Sequence, residues 1–247
     1  MTIEFDLALV LTIHSVLNTT CVLWRILSML YWMVATQKGL WNNSGSAFGL
    51  LLAVVGLNGL TDWPIEHFHF NSQNVVIMEV LNQVLLYVLV FLVHNMREER
   101  AIPMSIRHRV CYALLVENAA AFSLTLNYVQ TATLATTLLA QRFGFETEFV
   151  SSLHLIFFAI CVMSTVSVEF VYLHKFRWTV AAHVPIQLWA STLYHQSAIN
   201  GKIVCVLIAL NALLVFIKLV PEKCNYYLTF SLKNNQDEGT DQRALKV

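Results

Sequence analysis

Charge is scarce in this chain: 15 Lys and Arg and 15 Asp and Glu make up 12% of 247 residues, while 57% are hydrophobic. A soluble domain carries about 25% charge and about 45–50% apolar residues. The scarcity therefore excludes an ordinary soluble core of this length. Eight glycines and four prolines interrupt the chain, which leaves long stretches with nothing to stop a helix. The five cysteines, Cys21, Cys111, Cys161, Cys205 and Cys224, form no C-x-x-C pair, and none falls in a loop expected outside. Neither a zinc framework nor an external disulfide is implied. There is no HExxH, G-x-S-x-G, histidine-box or phosphate-cradling glycine motif. Glu4 and Asp6 precede the first apolar run without a base, so the positive region of a cleaved signal peptide is also missing.

What is present is a series of apolar runs near the length that crosses hydrocarbon, about 20 residues, where the backbone must bond internally as helix. The reading is an all-α integral membrane protein with seven transmembrane helices near 6–26, 46–61, 73–94, 108–129, 150–173, 179–196 and 202–220. The transmembrane domain covers 1–229, and the polar residues 230–247 form a disordered cytosolic tail. Arg25 to Trp41 is too polar at its ends for another span; it either prolongs helix one or lies along the interface. Thr131 to Phe145 reads as an outer connection with helical character. With the N-terminus outside and the C-terminus cytosolic, Lys38, Arg97, Arg100, Arg107, Arg109, Lys175, Arg177, Lys218 and Lys223 all fall inside, against Arg142 and Lys202 outside. That asymmetry is the positive-inside pattern. It places the protein in the plasma membrane or an endomembrane, with the lipid bilayer as its first partner and no nucleic-acid partner implied.

Polar side chains inside apolar spans are costly and usually face a partner or water. At about 1.5 Å per residue, His14, Glu117, Asn118, Gln187 and Asn211 come out near mid-depth, with Glu79 higher on the third span. These six form a candidate ligand or ion path: Glu117 supplies the charge and His14 a proton partner. The amides serve equally well as interhelical glue. Glu169 and His183 flank the inner turn and are expected to pair with Lys175 or Arg177. Asp62, Glu66, His67 and His69, within "TDWPIEHFHFN", form an acidic outer vestibule at an aromatic belt; H-x-H alone lacks zinc spacing, so no metal and no cofactor is assigned.

Three functional readings follow. The first is conduction or sensing of a proton, cation or small ligand at the mid-depth site. The second is a non-catalytic subunit that binds membrane partners, and the third, weaker one is a lipid-modifying enzyme. A retinal protein is disfavoured, because Asn211 stands where the Schiff-base lysine would be and Lys218 lies at the inner boundary. Rhodopsin-class receptors are unsupported as well, with no D-R-Y or N-P-x-x-Y. "PMSIR", Pro103 to Arg107, resembles a P-x-S-I-R run leading into the fourth helix of a seven-span subunit of the intramembrane protease gamma-secretase. That subunit's following helix carries regularly spaced glycines, which "VCYALLVENAAAF" lacks. The likeness implies the structural-subunit reading.

Overall fold

The computed structural model describes residues 7–37, 49, 51–53, 72–98, 106–196 and 201–219. Within them the chain is helical, without strands: α1 Leu7–Gln37, α2 Ser72–Glu98, α3 Ile106–Tyr112, a π-helical turn Ala113–Glu117, α4 Asn118–Phe143, α5 Thr147–Val171, α6 Leu173–Phe176, α7 His183–Gln196 and α8 Gly201–Leu219. The long helices contain no internal glycine or proline, so propagation is never broken. α3, the π-turn and α4 run on as one rod, because a π-turn widens a helix without stopping it. Gly144 ends the rod at φ 62°, its N–H bonding back to Ala140 O, the left-handed cap that glycine adopts without steric cost.

Five helical stretches are long and apolar enough to cross a membrane: Ser15–Gln37, Asn74–Met96, His108–Phe143, Glu148–Val171 and Gly201–Lys218. The predicted span 46–61 lies almost wholly outside the described residues. The predicted span 179–196 is a 14-residue helix, α7, about 21 Å at 1.5 Å per residue, preceded by non-helical backbone. Pro185 fits its first turn, where the missing N–H costs nothing. Arg25 onward prolongs α1 to Gln37. The expected outer connection, Thr131 to Phe145, is mostly the end of α4; its alanine, leucine and threonine run contains nothing that breaks a helix.

α4 is the central column, packed by α1, α2, α5 and α7. Ala119, Ala120, Ala121 and Ser123 are buried around its circumference, and small side chains let neighbouring backbones approach closely. α1 runs antiparallel to this column, Asn18 bonding Gln130 while Tyr31 bonds His108 O, whereas α7 runs parallel to it, Asn118 bonding Val180 and Tyr128 meeting Trp189. His108, Arg109, Lys175, Arg177 and Lys218 gather at one end of the bundle, the basic end.

Polarity is reversed relative to a soluble bundle. Asn82, Gln83, Asn127, Arg25 and Glu79 are buried, whereas Leu23, Leu27, Leu30, Ile77, Val84, Ile156, Ile160, Val206 and Phe216 are exposed. An apolar surface of that extent is a liability in water and is compatible with contact to a lipid bilayer.

Candidate functional site

The principal polar centre forms where α5, α7 and α8 meet the non-helical segment 177–182, at the basic end. Lys218 Nζ lies 2.6 Å from Glu169 Oε2, a buried ion pair. The same ammonium donates to Thr179 O at 2.6 Å and sits 3.3 Å from His183 Nε2. His183 Nε2 is 3.1 Å from Glu169 Oε2, and its Nδ1 is 2.7 Å from Asn211 Oδ1. All four side chains are buried. With Asn211 presenting its oxygen, the ring proton sits on Nδ1 and Nε2 accepts from Lys218. With the amide turned over, Nε2–H donates to Glu169 instead. Tautomer and amide orientation are thus one choice.

The segment itself is exposed backbone inside a bundle, which is tolerated only where its polar groups find partners. Asn118 supplies most of them. Its Oδ1 accepts from Val180 N and Ala181 N, both at 2.9 Å. Its Nδ2 donates to Trp178 O and to Ala113 O, both at 2.8 Å. Ala113 O also takes the Asn118 backbone N–H, the long-range bond of the π-turn. His94 holds the segment from the other side, its Nε2 2.7 Å from Thr179 Oγ1 and its Nδ1 2.7 Å from Val90 O. Phe176 packs over the imidazole with ring centroids 4.3 Å apart.

Beside this centre runs an open groove between α2, α4 and α5, with about 80 Å³ of enclosed space. Its walls are Gln83, Tyr87, Val90 and Phe91 on α2; Ala121, Leu124, Thr125 and Tyr128 on α4; and Cys161, Ser164, Thr165, Val168 and Glu169 on α5. Phe176, Thr179 and Ala182 close the basic end. Its lining is mostly apolar with a few convergent polar groups, the character of a ligand-binding groove. Tyr87 and Phe91, at its edge, are exposed toward the apolar surface of the bundle.

The predicted site residues are divided by the structure. Asn118 and Asn211 join the centre around the 177–182 segment. Glu117 is fully buried on the π-turn and lines neither this groove nor a smaller cavity flanked by Arg25, Ser28 and Trp32. Glu79 is buried on α2 beside an amide network: Asn82 donates to Asn127 Oδ1, and Asn127 Nδ2 donates to Gln83 Oε1 at 2.9 Å and reaches Glu79 O at 3.3 Å. Gln187 is half-buried on α7. The His14 side chain and the loop residues Asp62, Glu66, His67 and His69 lie outside the described residues.

One pairing is corrected. Glu169 and His183 meet Lys218, not Lys175 or Arg177; Lys175 instead donates to Asn95 Oδ1 at 3.0 Å. α5 and α8 both end at the same face, so their terminal charges converge although 49 positions apart in sequence. Sequence reasoning also passed over His94 and Thr179. Both signals were available, as a histidine near the end of an apolar run and a threonine in a turn, but only packing shows that they touch. Among the described residues no group of three His, Cys, Asp or Glu stands ready for a metal. Compared with known families, characterised proteins and solved structures, the chain matches none.

Proposed function

We propose that this is a multi-pass membrane protein that takes a small amphiphilic ligand sideways from the bilayer into the groove between α2, α4 and α5. The supporting observation is Glu169. It is buried, it lines the groove, and it is held by Lys218 and His183 from behind. Burying such a pair costs desolvation, and a ligand's polar end meeting the carboxylate on the groove side gives it a use. On this reading the basic end faces the cytosol, which sets the N-terminus outside and the C-terminus in the cytosol. The test is native mass spectrometry of the detergent-purified protein, wild type beside Thr165→Trp, which fills the groove. Retained small amphiphile in the wild type and its loss in the variant are expected; equal retention overturns the reading.

Conduction or sensing of a proton or cation keeps one observation of its own, a fully buried Glu117 on a π-turn, a feature frequent at functional positions. Proton flux into liposomes, wild type beside Glu117→Gln, tests it: flux lost in the variant supports conduction, and no flux in either sinks it.

A further inference from the structure

Resting on the groove reading above, we infer that the ligand is an uncharged amphiphile whose polar end is a hydroxyl group, seated at Glu169 and Thr179. Two features of the wall carry this, charge balance and hydrogen-bond direction.

Among the described residues that line the groove, Glu169 is the sole charged side chain; no lysine, arginine or histidine lines it. An anionic headgroup would therefore meet a carboxylate and find no cation on the wall. A cationic headgroup fares little better. Glu169 is already matched by Lys218 at 2.6 Å, so a second cation would leave the buried cluster net positive, and an uncompensated buried charge is strongly disfavoured. Neutral ligands leave the pair intact.

Hydrogen-bond direction narrows the class further. Val90 O can only accept, so the neutral His94 ring carries its proton on Nδ1 and offers a lone pair at Nε2. Beside that neutral ring Thr179 donates its hydroxyl proton to His94, which leaves Thr179 Oγ1 as an acceptor. The Glu169 carboxylate is an acceptor too. The polar end of the groove thus presents acceptors, and an ester, ether or ketone would add another. An alcohol supplies the donor. From this end the α5 wall runs from Glu169 to Cys161 and the α2 wall from Phe91 to Gln83, each about 12 Å of helix at 1.5 Å per residue. The apolar tail lies along Val168 and Leu124, directed away from the basic end.

The experiment uses three photoreactive probes of equal chain length ending in an alcohol, an amine or a carboxylate, offered to the full-length protein in nanodiscs. Labelled peptides are mapped by mass spectrometry. Saturable labelling of the α4 and α5 groove walls by the alcohol is expected, about tenfold tighter than by either charged probe, the scale of one unmatched buried group. Glu169→Gln should move the preference toward the carboxylate, Lys218→Met toward the amine. The double variant, neutral again, should prefer the alcohol and decides the matter where a single variant does not fold. A charged probe preferred by the wild type or by the double variant overturns the alcohol assignment, as does an order that the folded single variants leave unchanged. No saturable groove labelling by any of the three overturns the groove reading itself.

Discussion

The Asn118 carboxamide has two N–H donors and an oxygen with two lone pairs, and all four are used. Asn118→Ala strands two backbone N–H groups and leaves Trp178 O without its donor, at about 1–3 kcal/mol for each buried group left unmade. A loss of several kcal/mol is expected, seen as a lower midpoint of thermal unfolding in micelles. Asn118→Asp is the sharper change. It keeps the shape and the two accepted bonds, but sets oxygen against Ala113 O and Trp178 O, so it should fold no better than the alanine variant. The Glu169–Lys218 pair gives a second residue-scale prediction. Removing either partner alone should cost about 3–5 kcal/mol, because the other charge stays buried, whereas Glu169→Gln with Lys218→Met should cost far less than the sum. The same denaturation assay closes that double-mutant cycle. Depth counted along the sequence singles out Asn118 and Asn211, since an amide in an apolar run is conspicuous by itself. It misses Lys218 as a partner because a lysine at a span's end looks like a topology signal, and adjacency of α5 and α8 is a property of packing.

At the scale of the element, the rod from Ile106 to Phe143 is the informative piece. Its long apolar reach was legible, but its outer limit was not: the residues after Val129 are polar enough to suggest a loop, yet alanine, leucine and glutamine among them favour helix and no breaker stands before Gly144. The π-turn was also invisible, since Ala-Leu-Leu-Val-Glu carries no local mark. Its stabilising partner, Asn118, sits just beyond it and pairs across to the 177–182 segment. Gly144 yields the prediction here. A Cβ built at that position meets nothing within 4 Å, so only the left-handed backbone (φ 62°) resists substitution. Gly144→Ala should cost about 1–2 kcal/mol and Gly144→Asn clearly less, measured by the same unfolding midpoint. Equal costs would show that the cap is not held in this conformation.

At the scale of the whole molecule, the class was legible because composition and run length report on solvent, while the number of crossings was not settled by hydropathy alone. The sixth apolar run shows why: its first residues are unwound and held by His94, Asn118 and Lys218, a tertiary arrangement. The orientation proposal can be checked directly. In a Cys111→Ser, Cys205→Ser, Cys224→Ser background, Glu148→Cys should react with an impermeant maleimide on intact cells, and Arg109→Cys should react after permeabilisation alone; the opposite order would invert the topology.

The outward-facing leucines and isoleucines of α1, α2 and α5 bear on thermodynamics as well. When such helices part within a bilayer, side chain gives way to acyl chain and little apolar surface meets water. The heat-capacity increment that bends the stability curve of a soluble domain comes from that hydration. Helix separation in this protein should therefore show a small increment, a stability that changes almost linearly with temperature, and no cold-induced weakening of its packing.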